Sequence, residues 1–279
     1  VRSLDSAPAA TTAIRYEAGD PGSGINLASQ DYLGLSSHPR VHAAAIESIA
    51  RFGVHSAGSG ALLGNTSISL ELEQCIAETL HAPHALLFPT GWAAGYGAVV
   101  ALVRPDDHIV MDELAHACLQ SGAQASTRNV VRVRHLDTEA FRTAIQRIRA
   151  TDARNGILVI TEGVFSMDAD SPDIRSLQAS CHEYDATLLV DIAHDFGALG
   201  PGGTGQIGIQ GMLGEVDIVM GSFSKTFASN GGLVAVRTPE VKQFMQIYAG
   251  SWMFSNALSP VQAATVLEAL RIVRSPEDR

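Results

Sequence analysis

An α/β fold on a mostly parallel sheet is what this sequence predicts, and three observations carry it. Seven short apolar runs recur along the chain, rich in Val, Ile and Leu. Most lack polar alternation, as strands buried on both faces do. Amphipathic helical segments separate them, an order that calls for right-handed crossovers and helices against the sheet.

Taken in order, the first twenty residues, VRSLDSAPAATTAIRYEAGD, form a loose Ala/Pro/Thr-rich arm that lacks the apolar core of a signal peptide. NLASQDYLGLSSHPRVHAAAIESIARFG continues the arm, turns, and enters a helix from about 39 to 52. Glycines cluster in HSAGSGALLGN (55–65), a flexible or tightly turned segment. Strands are expected at HALLF (84–88), HIVM (108–111), VVRV (130–133), ILVIT (157–161), TLLVD (187–191), VDIVM (216–220) and GLVAV (232–236). Helices are expected at 69–81, 92–103, 137–150 and 173–185, and the pattern is helical from about 240 onward.

Composition narrows the function classes. With 279 residues, 46% hydrophobic and 17% charged, the chain can bury a large core. A net charge of -10 argues against a nucleic-acid partner. The densest basic stretch, RNVVRVRH (128–135), alternates like a strand with one solvated face. Cys75, Cys118 and Cys181 form no CxxC or paired framework, so a reducing, cytoplasmic compartment is expected. No apolar run reaches the roughly 18–20 residues that span a bilayer, so a soluble protein is expected.

Open α/β sheets bind ligands beyond the carboxyl ends of their strands. Five strand ends here deliver Thr/Gly, His, Ser, Asp/His and Ser/Lys to one rim. Only two of the nineteen Lys and Arg residues are lysines, and one, Lys225, follows an apolar strand in GSFSK. Arginine cannot replace lysine where a deprotonatable primary amine is needed. A desolvated lysine near other cations has a lowered pKa and can form a Schiff base with an aldehyde. The plainer alternative is a lysine paired with a buried carboxylate or reaching solvent.

In LLVDIAHD, Asp191 closes a strand and would be costly unless it met a cation or strong donor, such as a protonated pyridine nitrogen. His194 could then hydrogen-bond a phenolic oxygen on the same ring. A turn-capping Asp with a locally satisfied His is the alternative. A metal held by Asp191, His194 and Asp195 is another, but no further ligand cluster has the spacing, and no metal is expected. His116 in DELAHACLQSG could lie flat on an aromatic cofactor, with an ordinary loop histidine as the alternative. Thr90 is a candidate N-cap for the helix of PTGWAAGYG, whose N–H groups at Gly91 and Trp92 would then suit a phosphate; a glycine-rich helix packed tightly on the sheet is the alternative. Two patterns fail their context: GTGQIG (203–208) opens no convincing helix, and SFSK lacks a following K-T-G. One cofactor, pyridoxal 5′-phosphate (PLP), accounts for the five strand ends together.

LLFPTGWAAGYGAV, DELAHACLQSGA, TEGVFSMDAD, LLVDIAHDFGALGPGGTG and VDIVMGSFSKTFASNGGLVA, in that order, resemble the α-oxoamine synthase family of fold-type I PLP-dependent enzymes. Serine palmitoyltransferase and 8-amino-7-oxononanoate synthase are members. INLASQDYLGLSSHPRV and MFSNALSP look like its N-terminal arm and post-lysine segment, so the similarity covers about residues 25–275. The resemblance implies an aspartate aminotransferase-like large domain with a mostly parallel seven-stranded sheet between helices. It also implies a small C-terminal domain that supplies an arginine for the amino-acid carboxylate and is largely absent from this chain. The expected division is an arm and helix over 1–50, the PLP-binding domain over 51–240, and a linking helical segment over 241–279.

By resemblance, Lys225 carries the Schiff base, Asp191 pairs with the pyridine nitrogen, His194 contacts the ring oxygen and His116 stacks on the ring. Gly91 and Trp92 match phosphate-binding backbone positions. Ser222 and Ser224 supply hydroxyls nearby, and Ser166 matches a cofactor-contacting serine. Ser255 and Ser259 fall where a dimer partner reaches the phosphate, which implies a homodimer with shared active sites. The implied reaction is decarboxylative condensation of an amino acid with an acyl-thioester, from acyl-CoA or an acyl-carrier protein, to an α-amino ketone. Other fold-type I activities (aminotransferase, retro-aldol lyase) and a non-catalytic partner subunit stand as alternatives. The sequence departs from the family at Ile192, where an acid is common, at Asp195, where a small residue is usual, and at Cys118, a usual Ser. Its GSGALLG also lacks the arginine of the family's Gly-Ser-Arg turn.

Overall fold

The computed structural model describes residues 2–4, 6–8, 11–16 and 22–277. At the N-terminal end, β1 (Arg2–Leu4), β2 (Thr11–Tyr16) and β3 (Gly22–Ile25) pair as a small antiparallel sheet where the sequence suggested a loose arm. α1 (Pro39–Phe52) starts on Pro39, whose missing N–H and fixed φ suit a first helical position. It ends at Gly53 in a positive-φ conformation. α2 (Ser67–Leu80) opens on a reciprocal cap between Thr66 and Ser69.

The main body then alternates as expected. In order come β4 (His84–Phe88), α3 (Gly91–Leu102), β5 (His108–Asp112), α4 (Ala117–Ser126) and β6 (Val130–Val133). They are followed by α5 (Thr138–Thr151), β7 (Ile157–Glu162), α6 (Ile174–Glu183) and β8 (Thr187–Asp191). Next are α7 (Gly205–Ile209), β9 (Ile218–Ser222) and β10 (Gly232–Val236). The chain closes with α8 (Pro239–Tyr248), α9 (Gly250–Met253) and α10 (Pro260–Arg274). The seven strands β4 to β10 form one sheet in the order β4-β10-β9-β8-β7-β5-β6. β10 runs antiparallel to both its neighbours, and the other pairs are parallel.

Side-chain alternation along the strands feeds two apolar layers. Val110, Val159, Leu188, Val190 and Val219 pack on one face with α2, α5, α6 and α10. Ile109, Met111, Ile160, Leu189 and Met220 pack on the other with α3 and α4. β7, near the middle, is buried at every residue, which explains its unbroken ILVIT run. β6 is an edge strand that exposes Val131 and Arg132, so the basic stretch there is a solvated sheet margin.

Four details differ from the sequence reading. β9 begins at Ile218, two residues later than expected. Asp217, just before it, instead accepts from the Leu188 N–H (2.9 Å) and from Gln178 Nε2 (2.8 Å). α4 was not foreseen, because its start carries the residues that looked like a site loop. GTGQIG does enter a helix, the five-residue α7. After α9 the chain leaves the helical pattern over 254–259, and this stretch is tied to the glycine-rich turn by Ala257 N–H donating to Gly58 O at 2.8 Å. Among the described residues no helix is long and apolar enough to cross a membrane.

Candidate active site

The parallel strands β7 and β8, with β9 beside them, end together, and Glu162 is in register with Asp191. β5 delivers the loop to His116, β8 delivers Asp191 and the turn to His194, and β9 delivers Ser222, Ser224 and Lys225. α3 faces them from the end of β4. The result is a cavity of about 300 Å³ lined by Gly91, Trp92, His116, Cys118, Asp191, His194, Ser222, Ser224 and Lys225, with Thr90, Asn230 and Gly231 among its other walls.

Lys225 is 9% exposed, and no hydrogen bond or ion pair engages its amine among the described residues. Burial pulls its pKa down, and the charges of Asp191 and Glu162 pull it back only in part. The other lysine behaves oppositely, with Lys242 Nζ 2.7 Å from Glu73.

Asp191 is buried, and its Oδ1 accepts from the Ala193 N–H at 2.8 Å. Burial raises its pKa, opposed by that hydrogen bond and by Lys225. A buried carboxylate so weakly paired is poised to receive a cationic donor. His194 has its pKa pushed down to about 4 by burial, by Lys225 and by His116, so it is neutral at ordinary pH. Its Nδ1 lies 2.7 Å from the Tyr32 hydroxyl. With that hydroxyl donating, the ring proton sits on Nε2 and is available as a donor.

His116 is the N-cap of α4, and its Nδ1 accepts from the Cys118 N–H. Its own N–H donates to Glu162 Oε1 at 2.7 Å. Burial and Lys225 lower its pKa, which also keeps this ring neutral. Cys118 Sγ packs 3.0 Å from His116 Nδ1, and burial pushes the thiol well above its usual range. Ligand atoms of His116, Cys118 and Asp191 lie within 4.8 Å of one another. The charge of Lys225 acts on all three and opposes a cation there.

The α3 terminus fits an anion. Thr90 Oγ1 accepts from the Ala93 N–H at 3.0 Å, and the Ala94 N–H returns to Thr90 O. The N–H groups of Gly91 and Trp92 therefore have no acceptor within the helix. A Cβ on Gly91 would run into the Ser222 side chain, so the bare backbone is what brings helix and hydroxyl together. Ser222 Oγ and Ser224 Oγ are 2.8 Å apart. These groups suit a phosphate, Asp191 a ring nitrogen, and Lys225 a carbonyl.

Three residues expected at the site from sequence lie elsewhere. Ser166 is exposed on the loop after β7 and does not line the cavity. Ser255 is half-buried in the 254–259 segment, also outside it, and Ser259 caps α10. Sequence reasoning missed Tyr32 and Glu162. Glu162 ended an apolar strand as Asp191 does, and that shared signal could have found it.

The profile of the aminotransferase class I and II family matches residues 23–277. The chain belongs to that family. Within it, the chain is 35% identical over 251 residues to a serine palmitoyltransferase of Sphingobacterium spiritivorum, covering 90% of this chain and 62% of that one. It is 38% identical over 251 residues to an 8-amino-7-oxononanoate synthase of Geobacter metallireducens, covering 90% and 63%. The chain thus spans somewhat under two thirds of the length of these relatives. Among solved structures, serine palmitoyltransferase of Sphingomonas wittichii superposes with a TM-score of 0.90 at 28% identity, over 98% of this chain and 66% of that one. A structure described as SPT with its PLP internal aldimine gives 0.91 at 28% identity, over 99% and 68%. This family assignment agrees with the mostly parallel seven-stranded sheet described above.

Proposed function

We propose that this chain carries the cofactor site of a PLP-dependent C-acyltransferase of the α-oxoamine synthase type. The reaction condenses an amino acid with an acyl-thioester, releasing carbon dioxide and free thiol and leaving an α-amino ketone. The observation that carries the reading is Lys225, a buried amine with no ion-pair partner among the described residues, in one cavity with Asp191, His194, His116 and the free end of α3. When bound, PLP supplies an electron sink for charge developing at the amino-acid Cα.

The chain's own groups divide the remaining work. Asp191 holds a proton on the ring nitrogen, which keeps that sink electron-poor. His194 donates from Nε2 to the ring oxygen, held in place by Tyr32. Gly91, Trp92, Ser222 and Ser224 bind the phosphate and fix the ring. His116, anchored through its backbone to Glu162, covers the ring face. Lys225, its pKa lowered by burial, would supply the amine that meets the cofactor's carbonyl and a base for the amino-acid Cα proton.

We also propose a homodimer. Leu63 (97% exposed) and Phe254 (89%) stand on the tied segments 58–64 and 254–257, next to Ser255. The family resemblance makes Ser255 the residue that a second copy would offer to its neighbour's phosphate. Free thiols at Cys75, Cys118 and Cys181 fit the reducing, cytoplasmic setting expected from sequence.

The test is product analysis with the full-length protein and a panel of amino acids and acyl-thioesters. Matched release of thiol and carbon dioxide supports the proposal. Exchange of keto acid for amino acid, or aldol cleavage, assigns it to another activity. Cofactor binding with no turnover assigns it to a silent partner subunit.

A further inference from the structure

Asp195 is fully buried, one residue past His194, and lines no part of the cavity. Its carboxyl is wedged between two glycines that come from different segments. A Cβ on Gly163, just after β7, would lie 2.5 Å from Oδ2 and 2.7 Å from Oδ1. A Cβ on Gly205, at the start of α7, would collide with Oδ2 as well. Only bare Cα positions let these segments close on the acid. Oδ2 accepts from the Gln206 N–H at 2.7 Å, and Oδ1 has no partner among the described residues. The Gly163 N–H donates to Asp191 O at 2.7 Å, so the same wedge abuts the strand end that presents Asp191.

From this geometry we infer that Asp195 is a positioning acid for Asp191: it pins three segments behind the ring-facing carboxylate and sets how tightly protons are held there. The inference rests on the reading that Asp191 faces a pyridine nitrogen. Asp191, on the same segment, is the one ionisable group whose charge acts on Asp195 among the described residues. Gly163, Gly205 and Gln206 bring only backbone to it, and Glu162 is turned toward His116. Burial, reinforced by Asp191 and opposed by the Gln206 N–H, pushes the Asp195 pKa up to about 7. Near neutrality the acid therefore gains and loses its proton, and a negative charge there raises the proton affinity of its neighbours.

A carboxyl whose folded pKa is raised contributes stability that is full below its unfolded pKa, about 4. That stability is lost as pH rises through the folded value.

Asp195→Asn and Asp195→Ser test the inference in the full-length protein. Asparagine keeps an acceptor at the same reach for Gln206 and removes the charge; serine removes the charge and draws its acceptor back from Gln206. In cofactor-free protein, denaturation across about pH 5 to 8.5 should show wild type losing stability relative to Asp195→Asn as pH rises. Parallel curves overturn the inference. In protein loaded with PLP, the pH midpoint of the cofactor's absorbance should fall by on the order of one unit in both variants. Exchange of the Gln206 amide should quicken only in Asp195→Ser. Midpoints that coincide with wild type overturn the tuning role. An absent cofactor band in wild type is a different result: it sinks the PLP reading and the ring-facing role with it. If Asp195→Ser does not fold, Asp195→Asn alone decides the charge.

Discussion

Lys225 and Lys242 are the chain's two lysines, and the fold treats them in opposite ways. Lys242 is paired with Glu73, whereas Lys225 is buried with no partner at hydrogen-bond distance among the described residues. That contrast explains why lysine scarcity was informative: arginine serves ion pairs on this surface, and a lysine kept in a dry site needs a chemical reason. Tyr32 supplies a residue-scale prediction. Tyr32→Phe removes the donor to His194 Nδ1, frees the ring tautomer, and should weaken PLP binding about two- to tenfold with little change in stability. Fluorescence or absorbance titration with PLP measures it, and an unchanged affinity removes Tyr32 from the site. The sequence could not reveal this residue, because its partner lies 162 positions away. Asp191 and His194 were legible because both follow directly from a strand end.

At the scale of elements, the placement of strand ends was readable, and the packing that joins them was not. Seven apolar runs gave seven strands within two residues, since burial on both faces leaves little room for polar side chains. The antiparallel insertion of β10 between β4 and β9 leaves no such signature, because its five residues are buried like the rest. α3 against β9 is the decisive element contact. Gly91→Ala should push the helix terminus off Ser222, at a cost of about 1–3 kcal/mol from overpacking. It should also lower PLP affinity more than affinity for phosphate-free pyridoxal. Adding Ser222→Gly should recover stability without recovering phosphate affinity. Denaturation and ligand titration check both parts, and equal loss for the two ligands contradicts the phosphate assignment. Gly205 of GTGQIG, a pattern to which sequence context denied a nucleotide, finds its use in packing the start of α7 onto Asp195.

At the scale of the whole molecule, the proposed shared site needs a second copy. Leu63 and Phe254 expose large apolar areas that a self-complementary interface would bury. Sedimentation should give a dimer for the full-length protein, and Leu63→Asp with Phe254→Asp should shift it to monomer and reduce retained cofactor. A monomer with undiminished PLP binding refutes the shared site. The acidic balance and the sheet margin at β6 were legible from composition, but the exposed faces emerge only once distant turns are tied together. The most direct measurement concerns the buried amine. The protein is incubated with PLP, reduced with borohydride, digested and analysed by mass spectrometry. A pyridoxyl-phosphate adduct on Lys225, absent from Lys242 and lost in Lys225→Ala, is the result predicted here. Lys225 unmodified under excess cofactor contradicts the account.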